Sequence, residues 1–325
     1  MSKLFRQTAA LLAIAAGLAV APKIAAAPLA IAVARTPLSL PLYVAEAEGY
    51  FKEAGLATRL VDCVGGHVCI RLVFDGSAQI ATASDSVVMF QSFERDDYVV
   101  LGTLVTTDND VKLIGRKDAG IAAPGQLAGK RIGFVHGASS QFFLDSYLLL
   151  HGVDPRSLRL VELQPDQMAE ALRSAQVDAV AIWEPFAYAA VDAMKGGATV
   201  LPHSGAYKLT FNLITLRRFA SANDSDLIRF MRAVQRAEVL IREQPQRAQA
   251  ILRARLGVDQ RFVEWVWPGL EYRLSLDQSL IKTLESEARW AIREGYVRGA
   301  LPNYLRYLHP SPLGSVNPAA IGLSN

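Results

Sequence analysis

Residues 127–190 decide the fold and read LAGKRIGFVHGASSQFFLDSYLLLHGVDPRSLRLVELQPDQMAEALRSAQVDAVAIWEPFAYAA. Their pattern predicts strand, turn, helix, strand, helix, strand and helix, an order typical of an α/β sheet. Two turns, at 137–140 and 183–185, directly follow predicted strands and precede predicted helices. Because the carboxyl ends of parallel strands face the binding crevice in such sheets, the stretch predicts a ligand-binding α/β domain.

The chain before this stretch repeats the same order of elements. Apolar runs predict strands at 29–34, 60–64, 79–83 and 98–106, with helices between the first three of them. Ser-Ala-Gln precedes the third of these strands, and the same tripeptide precedes the matching strand of the second domain. Two similar α/β lobes that face each other form a cleft, and clefts between domains are preferred ligand sites.

Two similar short strands, VKLIG at 111–115 and NLITL at 212–216, bracket the quoted stretch. We interpret them as a two-stranded hinge, through which the chain leaves the first lobe and returns to it. The predicted division is a signal peptide at 1–27, a first lobe at 28–115 and 212–325, and a second lobe at 116–211.

The N-terminal residues have the three parts of a secretory signal: basic Lys3 and Arg6, an apolar run from Thr8 to Val20, and small residues at 25–27. The apolar run is too short to span a bilayer, and no cysteine follows it to carry a lipid. We expect cleavage after Ala27 and export to the periplasm without a lipid anchor. The alternative is a buried N-terminal helix.

Charge argues against nucleic-acid binding. The chain has 34 Lys and Arg, 31 Asp and Glu, and a formal net charge of +3. The predicted signal segment holds Lys3, Arg6 and Lys23, so the rest of the chain is balanced between acids and bases. Nucleic-acid binding requires a clustered basic face, which a balanced chain does not predict. The chain also lacks the sequence patterns of serine hydrolases, zinc proteases, P-loops and dinucleotide-binding loops.

Cys63 and Cys69 are the two cysteines of the chain. An even number of cysteines in an exported protein favours a disulfide. The alternatives are two free thiols, or a metal site formed with His67. A metal normally requires more ligands than this stretch offers, so we predict neither a metal nor a cofactor.

Turns at the predicted strand ends supply the candidate ligand contacts. Ser139 and Ser140 open a predicted helix, whose free N–H groups and partial positive charge favour an anion, although serine is also an ordinary helix cap. Thr36 begins the turn that holds the matching place in the first lobe. The candidate residues are Thr36, Pro37, Leu38, Ser39, Gly66, His67, Asp85, Ser86, Thr107, Ser139, Ser140, Trp183 and Glu184.

Each of two acids at these turns has two possible roles, one in ligand binding and one in helix stability. Glu184 and Asp85 could receive an amine or ring N–H of a ligand, but acids are also favoured in the first turn of any helix. Asp85 is moreover well placed to cap the helix that follows it. Trp183 could stack on a ligand or fill the core. From the cleft reading we expect Glu184→Ala to weaken ligand binding without unfolding the protein.

The segment 41–56, PLYVAEAEGYFKEAGL, resembles the opening motif of substrate-binding proteins of nitrate, sulfonate and taurine ABC importers. These proteins are also grouped as the SsuA/TauA or NMT1/THI5-like family. LAGKRIG at 127–133, QVDA at 176–179 and WEP at 183–185 are similar to later motifs of that family. The segment 63–69, with its two cysteines, departs from the family pattern.

The resemblance implies a type II periplasmic binding protein fold, in which two α/β lobes close on a small ligand. The closed form would dock on a membrane permease, which works with an ATPase. The positions that match the family's ligand contacts are Pro37 to Ser39, Gly66, His67, Asp85, Ser86, Ser139, Ser140, Trp183 and Glu184.

The resemblance therefore implies a solute-binding protein, and we expect a monomer without enzymatic activity. Our first choice of ligand is an aliphatic sulfonate or a taurine-like zwitterion. Nitrate, aromatic carboxylates and pyrimidines are the other ligands that the family suggests. The alternative functions are an enzyme on the same fold, of the kind that makes pyrimidine precursors, and a sensory protein that presents its ligand to a membrane receptor.

Overall fold

The computed structural model describes residues 27–202 and 205–323. The predicted signal peptide therefore lies outside the described residues, apart from Ala27. The strands are β1 (Leu29–Ala34), β2 (Thr58–Cys63), β3 (Ile80–Ser84), β4 (Tyr98–Thr107), β5 (Val111–Arg116), β6 (Arg131–Phe134), β7 (Arg159–Glu162), β8 (Ala179–Trp183), β9 (Ala198–Val200), β10 (Leu209–Leu216), β11 (Leu270–Asp277) and β12 (Ile321–Gly322).

The α-helices are α1 (Leu40–Ala47), α2 (Tyr50–Glu53), α3 (Gly66–Phe74), α4 (Asp85–Ser92), α5 (Ser139–Leu150), α6 (Met168–Arg173), α7 (Phe186–Ala193), α8 (Arg217–Ala222), α9 (Asp224–Glu243), α10 (Pro245–Leu256), α11 (Gln260–Val266), α12 (Gln278–Arg293) and α13 (Ser311–Val316). Short 3₁₀ turns lie at Pro37–Ser39, Pro124–Leu127, Pro155–Ser157, Pro165–Gln167, Tyr304–Tyr307 and Pro318–Ala320.

The strands form two sheets. Among the described residues, seven strands are ordered β12-β11-β4-β10-β3-β1-β2, and five are ordered β7-β6-β8-β5-β9. In each sheet three neighbouring strands are parallel, β2-β1-β3 and β7-β6-β8, because helices connect them by crossovers. We call the seven-stranded sheet with its helices the first lobe, and the five-stranded sheet with its helices the second lobe.

The chain passes twice between the sheets, at residues 108–110 and, among the described residues, at 201–202 and 205–208, and these positions correct the predicted hinge. β5 pairs with β8 and β9, so residues 111–115 belong to the second sheet rather than to the first lobe. β10 pairs with β3 and β4 in the first sheet. β5 and β10 have similar sequences because both strands are buried. The residues of a buried strand do not reveal which of the two sheets it joins.

Helices from the C-terminal part of the chain cover the first lobe. α9 packs against α1 and α13, and it buries Leu227, Met231 and Val234. The ring of Phe230 stacks on that of Phe51, with centroids 5.4 Å apart. Burial of each large apolar side chain of this kind stabilises the fold by about 1.5–3 kcal/mol. Within 27–202 and 205–323, no helix combines the length and the hydropathy that crossing a membrane requires.

Candidate ligand-binding site

Strand ends from both lobes enclose a cavity. The carboxyl ends of β1, β3 and β8 contribute, as do the start of β10 and the segment that connects β4 to β5. The lining residues are Ala34, Thr36, Leu38, Gly65, Gly66, His67, Ser84, Val87, Asp110, Ala138, Ser139, Trp183, Leu209 and Phe211. The cavity holds about 20 Å³, which is room for about one water molecule. A larger molecule therefore enters only when the lobes move apart or the side chains rearrange.

A larger surface groove of about 900 Å³ lies elsewhere, lined in part by Arg217, Arg218 and Arg298. All its lining residues belong to the first lobe. They lie near the start of β4 and the end of β10, at the sheet edge away from the second lobe. Because ligands of α/β sheets bind between the lobes at the carboxyl ends of the strands, the smaller cavity is the candidate site.

Several helix N-termini point to this cavity. Thr36 caps the 3₁₀ turn that begins at Pro37, and Gly66 and Ser139 are the first residues of α3 and α5. Ser84 directly precedes α4. The first N–H groups of a helix have no partner within the helix, and they carry a partial positive charge. The N-termini of α3 and α5, one from each lobe, therefore offer hydrogen-bond donors to the cavity.

The turn at Gly65 and Gly66 requires glycine twice. Gly65 has a φ of +83°, in the left-handed region that other residues rarely adopt. A Cβ atom at Gly66 would lie 2.6 Å from the Cα of Ala83 in β3. Cys63 and Cys69, on either side of this turn, form a disulfide with their Cα atoms 5.5 Å apart. The predicted disulfide is therefore present, and it fixes the entry of α3 against the cavity.

His67 and Trp183 meet across the cavity from opposite lobes. Their rings pack edge to face, with centroids 6.1 Å apart. Burial and, to a smaller extent, the charge of Arg71 lower the pKa of His67 to about 4, so the ring is neutral at pH 7. Its Nδ1 atom is buried and has no hydrogen-bond partner among the described residues. A polar atom of a ligand would satisfy it.

The family model described as NMT1/THI5 like matches residues 36–248, about two thirds of the chain. The chain belongs to the NMT1/THI5-like family. The match begins at Thr36, the first residue of the predicted ligand turn, and it includes both segments that cross between the lobes. The predicted family membership is therefore confirmed.

Relatives of this NMT1/THI5-like protein are named for sulfonate ligands. A Bacillus subtilis (strain 168) protein named for the binding of aliphatic sulfonates is 25% identical over 238 residues, 71% of each chain. The taurine-binding periplasmic protein of Escherichia coli (strain K12) is 26% identical over 165 residues, half of each chain. The solved structure of SsuA from Xanthomonas axonopodis pv. citri, bound to MOPS, has a TM-score of 0.73 at 21% identity, covering 92% of this chain and 99% of that chain. The structural likeness confirms the periplasmic binding protein fold.

The structure brings some of the predicted residues to the cavity and leaves others behind it. Those that line the cavity are Thr36, Leu38, Gly66, His67, Ser139 and Trp183. Those that do not line it are Pro37, Ser39, Asp85, Ser86, Thr107, Ser140 and Glu184. Ser140, for example, accepts a hydrogen bond from the Val135 N–H at 3.0 Å and donates one to the Ala181 carbonyl at 2.6 Å. Its hydroxyl thus holds α5 to the sheet.

The remaining polar residues behind the cavity also fix the backbone around it. The Ser39 hydroxyl donates to the Ala34 carbonyl at 2.8 Å. The Thr107 hydroxyl accepts from the Asn109 N–H at 3.0 Å. The hydroxyls of Ser84 and Ser86 share a hydrogen bond of 3.1 Å. The Tyr272 hydroxyl donates to the Pro37 carbonyl at 2.9 Å.

Asp85 bonds α4 to the second crossing segment and to the start of β10, and it does not line the cavity. Its carboxylate accepts hydrogen bonds from the Tyr207 hydroxyl and from the N–H of Thr210 at 2.8 Å. Burial raises the pKa of Asp85 to about 6, although these hydrogen bonds oppose the rise. Ser84 rather than Asp85 occupies the position before the helix, but the Asp85 carboxylate accepts a hydrogen bond from the Ser86 N–H of the first turn at 2.9 Å.

Glu184 is held in a buried ion pair beside the cavity. Its carboxylate lies 2.9 Å from the Nζ atom of Lys112, and both side chains are at most 3% exposed. It also accepts hydrogen bonds from the indole N–H of Trp265 at 2.5 Å and from the N–H of Tyr188 at 3.0 Å. Since removal of Glu184 would take away the ion-pair partner of the buried Lys112 charge, we expect Glu184→Ala to lower the stability of the fold. This prediction replaces the expectation that the substitution acts on binding alone.

Sequence reasoning missed several lining residues. Asp110 is the one with a charged side chain, and it lies directly before β5, inside the segment that connects the lobes. Its position at a strand start was visible, but the misplaced hinge assigned that strand to the first lobe. Leu209 and Phe211 were missed because apolar residues in a buried strand look like core. The remaining ones, Ala34, Gly65, Ser84, Val87 and Ala138, are small or apolar and gave no chemical signal.

Proposed function

We propose that this protein is the periplasmic solute-binding component of an ABC importer, and that it captures a small organic anion or zwitterion. An aliphatic sulfonate or a taurine-like compound is the ligand class that we favour. The observation that carries the proposal is the convergence of helix N-termini from both lobes on one cavity. The partners would be a permease and its ATPase, and the protein would act as a monomer, exported by its signal segment without a lipid anchor.

The chemistry of the cavity supports an organic anion rather than a bare ion. Helix N-termini and the hydroxyls of Thr36 and Ser139 supply donors for charged oxygens. Leu38, Leu209 and Phe211 supply apolar surface for a short hydrocarbon portion. The names of the relatives, which mention aliphatic sulfonates and taurine, support the same ligand class.

We propose that the lobes close on the ligand, and contacts between the lobes support this. Asp145 on α5 of the second lobe accepts hydrogen bonds from the first lobe, from the indole N–H of Trp290 at 3.2 Å and from the Tyr296 hydroxyl at 3.1 Å. A second hydrogen bond between the lobes runs from Trp265 of α11 to Glu184 at the end of β8. Such contacts favour the closed arrangement, and the ligand binds tightly only to that arrangement.

Replacing Asp145 by alanine is expected to weaken ligand binding about 5- to 30-fold, because the closed arrangement loses two hydrogen bonds to a carboxylate. Isothermal titration calorimetry with the tightest sulfonate measures this change. The control is Asp154→Ala, an acid of the second lobe that pairs with its neighbour Arg156. Equal affinities of the Asp145 variant and the wild-type protein would show that closure does not use this contact.

The function itself is tested by calorimetric titration with ethanesulfonate, 2-aminoethanesulfonate, nitrate and benzoate. Buffers must be free of sulfonate groups, because common sulfonate buffers would compete for the site. We expect a sulfonate to bind with a dissociation constant below about 10 μM and to raise the melting temperature by mass action. A ligand consumed with release of a product would favour the enzyme alternative, and absence of binding to all four would contradict the proposal.

A further inference from the structure

Asp110 stands out among the residues that line the cavity. It lies in the first crossing segment, its side chain is 4% exposed, and it faces the space between the lobes. Among the described residues that line the cavity it is the one acid, and none of them is a lysine or arginine. An ionised carboxylate buried without a counter-charge is costly, so this position requires an explanation.

The cation nearest in sequence, Lys112, is shared between Asp110 and a second acid. The Nζ atom of Lys112 lies 2.9 Å from the Glu184 carboxylate, and it donates a hydrogen bond to the Asn109 carbonyl at 2.5 Å. Lys112, Glu184 and Asp110 thus form a buried cluster of two acids and one base. When both acids are ionised, the cluster lacks one positive charge. Asp110 is the member that faces the cavity, and its carboxylate also accepts a hydrogen bond from the Glu184 N–H.

The other groups around Asp110 do not supply that charge. The ring of His67 lines the same cavity and is neutral at pH 7, since its pKa is about 4. The hydroxyl of Tyr272 donates to the Pro37 carbonyl, and burial holds its pKa well above its usual value, with the Asp110 charge adding to the rise. Burial raises the pKa of Asp110 itself to about 8, with the Lys112 charge opposing the rise and the Glu184 charge adding to it.

We propose that Asp110 binds a cationic group of the ligand, so that the ligand is a short zwitterion. Its anionic group would lie at the N-termini of α3 and α5, and its ammonium group would lie at Asp110 in the crossing segment. This assignment rests on the proposed function and narrows it from organic anions to ω-amino sulfonates or ω-amino carboxylates. It also places the ligand's cation on the segment that bends when the lobes close.

The opposite arrangement is a protonated Asp110 that donates a hydrogen bond to an anionic ligand. The two arrangements differ in the fate of the proton. An ammonium ligand requires ionised Asp110, so below pH 8 it must displace the proton. Its affinity then rises about tenfold per pH unit from pH 6 to pH 8, while His67 and Tyr272 keep their charge state in that range. A plain anion requires the proton and binds more weakly as pH rises.

The test compares two pairs of nearly equal size: 2-aminoethanesulfonate with propanesulfonate, and 3-aminopropionate with butyrate. Titration calorimetry at pH 6, 7 and 8, in phosphate and in imidazole buffer, gives both the affinity and the number of protons released. We expect the wild-type protein to prefer the amino member of a pair about 10- to 100-fold at pH 8 and to release up to one proton at pH 7.

Asp110→Asn is expected to reverse this preference, weakening the amino ligand about 10- to 100-fold and tightening the plain anion. The matched control is Asp108→Asn, which makes the same chemical change at an exposed position of the same segment and leaves the preference as it is. Binding of the plain anion to the Asp110→Asn protein also shows that the variant is folded.

The outcomes separate the two claims. A wild-type preference for the plain anion with proton uptake, or an Asp110→Asn protein that still prefers the amino ligand, overturns the role of Asp110 and leaves the proposed function standing. If neither pair binds to the wild-type protein at about 1 mM, the proposed function and the role of Asp110 are both wrong.

Discussion

Replacing Lys112 by methionine is expected to lower the free energy of unfolding by about 3–5 kcal/mol. Lys112 lies on β5, opposite Ile182 of β8 in the second sheet, and its side chain is 3% exposed. Its removal leaves the Glu184 carboxylate buried without a counter-charge, beside the second acid, Asp110. Methionine keeps most of the side-chain volume, so the loss is electrostatic rather than a cavity effect. Urea denaturation followed by circular dichroism measures it.

Two further variants separate charge from packing. Lys112→Met combined with Glu184→Gln removes both charges and keeps hydrogen-bonding groups for Trp265, so it is expected to regain at least half of the lost stability. Arg173→Met breaks an ion pair in which both side chains are more than half exposed, and we expect no measurable change. If the single Lys112 variant were as stable as the wild-type protein, the ion pair would have no structural role.

Ser139→Asp is expected to weaken the binding of an anionic ligand about 100-fold or more while the protein stays folded. Ser139 is the first residue of α5, is 5% exposed and lines the cavity. An aspartate there places a negative charge at the helix N-terminus, which suits the helix but repels the ligand's anionic group. Titration calorimetry with the tightest sulfonate, together with a thermal melt, measures both effects.

Ser139→Asn provides the control, because asparagine has nearly the same size as aspartate and no charge. We expect the asparagine variant to bind at least about 10-fold more tightly than the aspartate variant, since only the latter adds like charge. Equal affinities of the two variants would place the anion away from α5 and would remove one of the helix N-termini from the site.

Much of the fold was predictable because its signals are local. The strand at 29–34 begins and ends at the predicted residues, since an apolar run between Pro28 and Arg35 marks both limits. The crossing between the lobes was misplaced because pairing of β5 with β8 and β9 joins residues far apart in the chain. Local composition carries little information about such partners, and sheet membership follows from them.

The site shows the same division between local and distant information. Ser139 and Gly66 were predicted from turns between a strand and a helix, which short sequence motifs reveal. Glu184 and Asp110 are both acids next to a strand, but only Glu184, which follows its strand, was a predicted site residue. The structure distinguishes them, because Lys112 and Trp265 occupy the Glu184 carboxylate, whereas Asp110 faces the cavity. That distinction depends on packing between segments more than 70 residues apart in the chain.

The closed cavity, the helix N-termini and the contacts between the lobes fit together as one mechanism. Separation of the lobes would admit a ligand, and closure would bring α3 of the first lobe and α5 of the second lobe to the same anionic group. The hydrogen bonds of Asp145 with Trp290 and Tyr296 would then hold the closed arrangement on one rim. In this mechanism affinity depends on residues from both lobes, and neither lobe alone forms the site.

A crystal structure of the protein grown with 2-aminoethanesulfonate tests the central claim most directly. We expect the sulfonate oxygens within about 3.2 Å of backbone nitrogens at the N-termini of α3 and α5, near Gly66 and Ser139. Density for the sulfonate in the arginine-lined groove at Arg217, with none between the lobes, would contradict the account.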